Sequence, residues 1–365
     1  MYVVRPVELA DIAALEALAA VPMPGVHTLP KTREKILAMI KQSITSFAAN
    51  VDIPSEEAYL LVLEWLGDAS LGDKSVGDKS LDDKSLADKS IVGTAAIFAA
   101  AGSNGTYFSF RNDVIQQVSR DLNISHSVHA LTLCSELTGY SQLSSFYVGE
   151  REYGTPEAAL LSRARLMFAV LAPHRFSDRF FVPLAGVTDG DGGSPFWDAL
   201  GRKFFQMDFL DAERVIGGAR NRTLIVELMP HYPVYVPLLP GDAQAAMGQI
   251  HPSGELAFNL LTAEGFEADD YIDIFDGGPI LQAHKNTLRT FSGALQRRVV
   301  TAVESRDRGR EPQLRYAVSS GAEHNFRAVI THCTALESQV TAALPADVLE
   351  ALQVVDGDTV ICVRI

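Results

Sequence analysis

A strand, loop and helix in the middle of the chain have the residue types and spacing of a phosphate site. The run QLSSFYV (142–148) is typical of a β-strand, and PEAALLSRARLMFAVLA (156–172) predicts a long helix opened by Pro156. The loop between them, GEREYGT, contains Arg151 and Gly154. Helix N-termini hold phosphates through amide groups and a positive dipole end. We therefore expect a pyrophosphate site here, although a structural turn would also explain the glycine.

His251 is the candidate for proton transfer among the nine histidines of the chain. It precedes Pro252 and the helical run GELAFNLLTAEG, so its imidazole is predicted to lie at a helix N-terminus. The dipole there lowers the pKa and favours the neutral ring, which can accept a proton. His231 lies between two prolines and His284 in a polar stretch. Structural or surface roles are predicted for both.

The elements around these residues alternate between strand and helix over roughly the first 235 residues. Residues 2–4 predict a strand, and Asp11 is a candidate N-cap for the helix that follows. A second predicted helix has one apolar stripe, formed by Ile36, Ile40, Ile44 and Phe47. The later predicted elements are the strands YLLVLEW, IVGTAAIFAA, RFFVPLAGV and RTLIVELM and the short helix SPFWDALGRKFF.

From Tyr271 onward the chain is a series of short strand-like runs separated by turn residues. Such spacing predicts a small β-barrel or sandwich. The boundary is expected between Pro240 and Tyr271, which gives domains of residues 1–245 and 246–365. The runs are YIDIFDGGPI, RRVVTAV, LRYAVSS, FRAVITH and TVICVRI.

The most conspicuous segment, LGDASLGDKSVGDKSLDDKSLADKS (66–90), repeats the unit apolar-x-Asp-Lys-Ser. A period of five matches neither a strand nor a helix, so the apolar residues form no continuous stripe. The paired Asp and Lys largely cancel in charge. We interpret the repeat as an expanded hairpin loop between YLLVLEW and IVGTAAIFAA, because closure entropy grows only slowly with loop length.

Composition excludes several classes of protein. The chain of 365 residues is 47% hydrophobic and 21% charged, with a formal net charge of −14, so nucleic acid and membrane are poor partners. Three scattered cysteines make no disulfide framework or zinc motif, and no metal site is indicated. The N-terminus carries Glu8, Asp11 and Glu16, unlike a signal peptide, and the longest apolar run is too short for a bilayer. A cytoplasmic protein is expected.

Several strings resemble known acyltransferases. The loop is similar to the R-x-x-G-x-[GA] coenzyme A loop of the GCN5-related N-acyltransferases, except that Pro156 replaces the last residue and removes one amide donor. Longer strings resemble the arginine N-succinyltransferase family, and two are closest to the α chain of its two-subunit arginine/ornithine enzymes. They include LTGYSQLSSFYV, GDGGSPFWDALGRKFFQMDF, MPHYPVYVPLLP, MGQIHP and YIDIFDGGP. The resemblance spans the chain except for the repeat.

The resemblance implies an α+β fold: an N-acyltransferase-like domain with a mixed, mainly antiparallel sheet, followed by a small C-terminal β-barrel. It implies succinyl transfer from succinyl-CoA to the α-amino group of L-arginine, with no permanently bound cofactor. It makes His251 the proton donor. It places the coenzyme contacts at Phe146, Tyr147, Val148, Arg151 and Gly154. Phe146 can equally be an ordinary core residue of its strand.

Alternatives remain open at this point. The acceptor amine could be ornithine, and the chain could be a non-catalytic partner in a heteromer. It could act with a second, homologous β chain or as a homo-oligomer. The guanidinium of arginine needs a carboxylate partner, for which the candidates are Asp189, Asp191, Asp273 and Asp276. The last two could instead cap turns.

Overall fold

The computed structural model describes residues 1–20, 29–67, 90–103, 105–216, 227–302 and 312–365. The strands in these residues are β1 (Tyr2–Pro6), β2 (Ala58–Trp65), β3 (Ser90–Phe98), β4 (Ser109–Ser119), β5 (Ile124–Cys134), β6 (Ser141–Val148), β7 (Arg179–Pro183), β8 (Val234–Tyr235), β9 (Glu267–Ile272), β10 (Pro279–His284), β11 (Leu295–Thr301), β12 (Leu314–Ser320), β13 (Arg327–Cys333), β14 (Thr341–Leu344) and β15 (Thr359–Arg364). The α-helices are α1 (Ile12–Ala20), α2 (Arg33–Ala48), α3 (Pro156–Leu171), α4 (Pro195–Ala199), α5 (Gly201–Phe205), α6 (Phe209–Ile216), α7 (Gly241–Ala246), α8 (Glu255–Glu264), α9 (Arg289–Ser292) and α10 (Ala346–Leu352).

The strands join in one mixed sheet with the order β14-β11-β15-β12-β13-β1-β2-β3-β6-β7-β10-β9-β4-β5-β8. Within the described residues, only the β6–β7 and β11–β14 pairs are parallel. Helices cover the sheet, so the chain has the predicted α+β class with a mixed, mainly antiparallel sheet.

β2 shows how the sheet is covered on both faces. Its apolar run is buried almost throughout, as expected for a strand between two helical layers. Leu60 and Val62 pack in the cluster that contains α1 and α2, whereas Tyr59 and Leu61 pack with Phe168 of α3. The alternation follows from the two-residue period of a strand. α3 therefore packs against the face of the sheet that presents Tyr59 and Leu61.

Two local predictions near the N-terminus differ from the structure. Asp11 is not the N-cap of α1, because a 3₁₀ turn precedes the helix and its carboxylate accepts from the amide of Glu8 at 2.8 Å. Ile44 is 38% exposed and so leaves the predicted apolar stripe of α2. Ser43 is buried there instead, where its Oγ accepts from the amide of Leu60 at 2.9 Å. The bond satisfies a polar group that burial would otherwise penalise.

The predicted helix SPFWDALGRKFF is two short helices, α4 and α5, separated at Leu200. The two helices pack closely at this break, since a Cβ on Gly201 would lie 2.3 Å from the ring of Trp197. The indole Nε1 of Trp197 donates to the carbonyl of Met207 at 3.0 Å. The strand predicted for RTLIVELM lies mostly outside the described residues, and of its described part, Glu227 and Leu228 are helical.

The pairing of the C-terminal strands crosses the domain boundary that was predicted at residues 245/246. β9 and β10 fall after residue 246, yet β10 pairs with β7 and β9 pairs with β4, both of the N-terminal part. The later strands continue the sheet, because Val4 of β1 is the register partner of Ala328 of β13. Among the described residues, β14 has a ladder with β11 alone, so a closed barrel stays a prediction. No helix in these ranges is both long and apolar enough to cross a membrane.

The repeat connects two neighbouring antiparallel strands, as predicted. Trp65 at the end of β2 is the register partner of Ser90 at the start of β3. Residues 68–89 lie outside the described residues. Leu66 and Gly67 are held at the sheet, since the amide of Leu66 donates to the carbonyl of Met1 at 2.8 Å and the terminal ammonium of Met1 donates to the carbonyl of Gly67 at 3.1 Å.

Replacing residues 68–89 with a two-residue turn is expected to leave activity within about twofold and to change the free energy of unfolding by less than about 1 kcal/mol. The reason is that β2 and β3 already meet in register at Trp65 and Ser90. Steady-state turnover and urea denaturation measure the two quantities. A large loss of either would identify the repeat as a site of interaction.

Candidate functional site

A gap opens in the sheet between β6 and β7. The two parallel strands pair only at their beginnings, through Ser141 with Phe180 and Gln142 with Phe181. Beyond Gln142, β6 remains paired with β3 on its other side, up to Val148 with Gly93. The edge of residues 143–148 that faces β7 therefore has no strand ladder within the described residues. Its peptide groups can bind an extended, amide-containing ligand by adding to the strand.

A β-bulge lies at the centre of this edge. The register passes from Ala96–Ser144 to Thr94–Tyr147, so two residues of β6 face one of β3. Ser145 has a φ of 50°, in the left-handed region that non-glycine residues rarely adopt. The hydroxyl of Thr94 donates to the Ser145 carbonyl at 3.0 Å and holds the bulge. Bulges of this kind redirect side chains next to functional sites.

The bulge sets the direction of the three predicted contact residues on β6. Phe146 is half-buried and packs against the core beneath α3. Val148 belongs to that core, with 8% exposure. Tyr147 is half-buried, and burial, followed by the nearby charge of Glu150, raises the pKa of its hydroxyl. Phe146 and Tyr147 therefore remain accessible to a ligand, whereas Val148 has mainly a packing role.

The loop after β6 leads into α3, and the side chain of the N-cap residue accepts no hydrogen bond from the first amides of this helix. Gly154 has a φ of +75°, a conformation that suits glycine, and a Cβ there would meet nothing within 4 Å. The hydroxyl of Thr155, the N-cap of α3, donates backward to the carbonyl of Glu152 at 2.7 Å. The amides of the first helical turn thus keep their hydrogen-bonding capacity for a ligand. Arg151 is exposed beside this turn.

Glu152 is turned away from the loop surface. It is 4% exposed, and its Oε1 accepts from the hydroxyl of Tyr2 at 3.0 Å. This bond anchors the loop to β1. The surface of the loop therefore presents Arg151 and the carboxylate of Glu150, and the amides that suit a phosphate are those at the start of α3.

His251 lies where the chain returns to the open end of the gap. Its amide donates to the carbonyl of Ala185, just beyond β7, at 2.8 Å, and Ile250 forms a bridge with Gly186. Ile250 also packs against the core cluster that Phe146 contacts. The structure thus brings the histidine segment and the β6 edge to one core.

The hydrogen bonds of the His251 imidazole favour one tautomer. It is the N-cap of a 3₁₀ turn, Pro252–Gly254, and not of α8 itself. Nδ1 accepts from the amide of Ser253 at 3.1 Å and lies 2.8 Å from the Ser253 Oγ. Because Nδ1 accepts, the proton of the neutral ring lies on Nε2. Partial burial lowers the pKa of His251. Ser253 is a neighbour that sequence reasoning missed; its position two residues after a capping histidine was the available signal.

The strings MGQIHP and YIDIFDGGP meet at this point. The amide of Gly248 donates to the carbonyl of Gly277 at 2.8 Å. Asp276 is buried and accepts from the amides of Gly186 and Gly278, each at 2.8 Å. A Cβ on Gly186 would lie 2.5 Å from the carbonyl of Asp276. The segments on both sides of His251 are therefore rigidly held.

The predicted aspartates have structural partners. Asp273 accepts from the amide of Phe275 at 2.8 Å, so both it and Asp276 cap turns, which is one of the two predicted alternatives. Asp189 accepts from the amides of Asp191 and Gly193 at 2.9 and 2.7 Å. The structure does not single out a partner for a guanidinium among them. No cluster of three or more metal-binding side chains occurs in the described residues.

Comparison with solved structures gives the class of protein first. The chain has the fold of a structure titled "The structure of arginine/ornithine succinyltransferase subunit AI from Pseudomonas aeruginosa". The TM-score is 0.82 and the identity 37%, with 100% of this chain and 98% of that chain covered. The fold is therefore that of a succinyltransferase subunit.

Sequence comparison gives the family. The model described as arginine N-succinyltransferase beta subunit matches residues 2–73 and 81–290, and the model of its C-terminal domain matches residues 296–364. Arginine N-succinyltransferase subunit alpha of Pseudomonas aeruginosa is 40% identical over 99% of this chain and 98% of that protein. Arginine N-succinyltransferase of Yersinia pestis (strain Pestoides F) is 32% identical over 99% and 97%. The chain belongs to the arginine N-succinyltransferase family.

The family matches also bear on two features of the chain. Residues 74–80, which the first model leaves unmatched, lie inside the repeat. The two models divide the chain between residues 290 and 296, later than the predicted boundary at 245/246. This later point agrees with the pairing of β9 and β10 with N-terminal strands.

Proposed function

We propose that the chain transfers the succinyl group of succinyl-CoA to the α-amino group of L-arginine. The products are N2-succinyl-L-arginine and coenzyme A, and the reaction opens the succinyltransferase route of arginine breakdown. The main support is the full-length match to the arginine N-succinyltransferase family. The proposal places the enzyme in the cytoplasm, with succinyl-CoA as co-substrate and no permanently bound cofactor.

The gap between β6 and β7 is the proposed coenzyme site. The pantetheine amides would pair with the free edge of β6, next to Phe146 and Tyr147, and the pyrophosphate would accept from the amides at the start of α3. Arg151 would supply charge, and Gly154 the left-handed turn that exposes those amides. Pro156 removes one amide from the turn, so the site holds the pyrophosphate through fewer backbone donors.

His251 is the proposed group for proton transfer. The arginine amine attacks the thioester carbonyl, the carbon–sulfur bond breaks, and the proton lost by the amine ends on the thiolate. In the neutral ring Nε2 carries the proton that the thiolate takes. The proton that the amine loses refills the ring: it passes through Ser253 Oγ, 2.8 Å from Nδ1, as Nε2 gives up its own proton. This role rests on the anchored position of His251 beside the end of β7.

The finer fold assignment is part of the proposal. The sheet from β1 to β10, with its gap beside α3, supports a GCN5-related N-acyltransferase-like unit. The strands β11 to β15 enclose their own core with α10, which supports a small barrel-like C-terminal unit. We place the division between residues 290 and 296 instead of 245/246, because the two family models meet there and β9 and β10 complete the N-terminal sheet.

The test is release of coenzyme A from succinyl-CoA by the purified chain, followed with a thiol reagent. We expect release that depends on arginine and yields one N2-succinylarginine per thiol. Because relatives are named as alpha and beta subunits, the assay is run with and without any homologous chain encoded beside this one. Equal release with and without arginine, in both arrangements, would refute the proposed activity.

Ornithine is the second candidate acceptor, because the solved structure that this chain matches is titled an arginine/ornithine succinyltransferase subunit. The same assay compares kcat/KM for the two amino acids. A multi-chain assembly, with a β chain or a second copy, is likewise proposed from the subunit names. Coenzyme A titration of this chain alone separates a catalytic role from a purely structural one, since tight binding contradicts the latter.

A further inference from the structure

Arg165 of α3 is a buried cation that lacks a carboxylate partner. The side chain is 1% exposed. Nε and Nη2 donate to the carbonyl and the hydroxyl of Ser162, one turn earlier in the same helix, at 3.0 and 2.9 Å. Nη1 is buried and has no hydrogen-bond partner within the described residues. Desolvation alone lowers the pKa of the guanidinium to about 9.

Among the described residues, the other two deeply buried arginines have more partners, although Arg175 also lacks a carboxylate and its Nε has no hydrogen-bond partner. Arg5 makes paired contacts with the carboxylates of Asp11 and Glu64. Arg175 donates from both terminal nitrogens to three oxygens, on Ser46, Ala49 and Tyr59. Burial of an unpaired cation is costly, and such groups normally have a compensating anion. The described part of the protein supplies that anion to neither Arg165 nor Arg175, and Arg165 has the fewer partners, since both of its hydrogen bonds go to Ser162.

Arg165 lies directly against the proposed acyl site. Its guanidinium carbon is 5.5 Å from the centre of the Phe146 ring, which stands beside the bulge on the free edge of β6. Phe146 is half-buried, whereas Arg165 is closed to solvent, so the ring covers the guanidinium on the side of the gap. A ligand in the gap would therefore have to displace Phe146 to contact the guanidinium.

We propose that Arg165 binds the terminal carboxylate of the succinyl group and thereby selects succinyl-CoA over uncharged acyl-CoA molecules. The inference rests on the proposed function and names the specificity residue of that site. A carboxylate satisfies the open Nη1 and neutralises the buried charge in one contact. An acyl chain ending in a methyl group leaves both uncompensated, and sites with unpaired buried polar groups reject such analogues strongly.

The test compares kcat/KM for succinyl-CoA and butyryl-CoA, which has four acyl carbons but a terminal methyl group, with arginine as acceptor. The wild-type protein should prefer succinyl-CoA by at least about 100-fold. Arg165→Met keeps the length of the side chain and removes its charge. Its kcat/KM should fall about 100-fold with succinyl-CoA and stay unchanged with butyryl-CoA. Arg165→Lys should retain part of the preference, because the charge remains.

Arg175→Met is the matched control, since it also removes a buried guanidinium from the α3 side of the sheet. It breaks three hydrogen bonds, so Tm should fall while the preference for succinyl-CoA is kept. Arg165→Met should instead keep or raise Tm, because an unpaired buried cation is removed. A purely structural Arg165 would behave like Arg175.

Two results would overturn the inference. One is a wild-type preference for succinyl-CoA of less than about threefold, which needs no variant protein. The other is an equal fall in kcat/KM with both acyl donors in the Arg165→Met variant. If the wild type releases no coenzyme A in response to arginine, the proposed function fails by itself, and calorimetric titration of wild type and Arg165→Met with the two acyl-CoA molecules still decides the role of Arg165.

Discussion

Replacement of His251 by asparagine is expected to lower kcat for arginine succinylation by about 10²- to 10³-fold, the range lost when a positioned proton-transfer group is removed. Asparagine keeps an oxygen that can accept from the amide of Ser253, as Nδ1 does at 3.1 Å. The turn into α8 should therefore remain, and KM for succinyl-CoA should change little. Steady-state thiol release measures both constants.

His284 provides the matched control. It too is the N-cap of a 3₁₀ turn, and its Nδ1 accepts from the amide of Asn286, two residues on, at 3.2 Å. It lies at the end of β10, away from the carbonyl of Ala185 that anchors His251. His284→Asn makes the same local change and should leave kcat within about twofold. Equal losses in the two variants would reduce His251 to a structural role.

The pH dependence gives an independent reading of the same residue. The neutral ring is the active form, and burial lowers the pKa of His251 below its ordinary value of 6.5. Protonation as the pH falls puts a hydrogen on Nδ1 opposite the amide of Ser253 and removes the neutral form. The acid limb of kcat/KM should therefore bend below pH 6.5 and disappear in His251→Asn. A bend well above that value would assign the limb to another group.

Local sequence signals were sufficient for the elements that carry the coenzyme loop. β6 and α3 begin and end within one residue of their predicted limits, because a strand-like run, a loop glycine and Pro156 at the first helical position define them. The hairpin position of the repeat was also predicted correctly, from the two apolar runs that flank it. In these segments the residues nearby in sequence determine the local structure.

Pairings between distant segments were not predictable in the same way. β9 and β10 read as the start of a separate group of strands, but they add to β7 and β4 of the N-terminal sheet. The long β4–β5 hairpin was missed, because its strands bury few side chains and lack a continuous apolar pattern. Which strand lies beside which depends on tertiary packing and not on local propensity.

The site shows the same limit. His251 was identified from its string, but its bonds with Ala185 and Ser253 require the fold. Arg165 looks like an ordinary charged position of a helix, and only the packing of α3 on the sheet buries it against Phe146. Such a conflict between residue type and environment is expected at functional sites.

Replacement of Arg5 by methionine is expected to lower the free energy of unfolding by about 3 to 5 kcal/mol, the usual cost of removing one partner from a buried ionic group. Arg5 on β1 contacts Asp11 at 2.8 and 2.9 Å and Glu64 on β2 at 2.9 Å. The side chains of all three are at most 8% exposed. Methionine leaves two carboxylates buried without their cation. Urea denaturation at neutral pH measures the loss.

Arg111 is the control, because it also pairs with two carboxylates, those of Asp113 and Glu136. These side chains are between 32% and 46% exposed, so water can replace the lost cation. Arg111→Met should therefore cost at most about 1 kcal/mol. A comparable fall in the free energy of unfolding in both variants would mean that burial does not determine how much the ion pairs of Arg5 stabilise the protein. A smaller loss in Arg5→Met combined with Asp11→Asn than in Arg5→Met alone would support the interpretation, since the double variant leaves one uncompensated carboxylate instead of two.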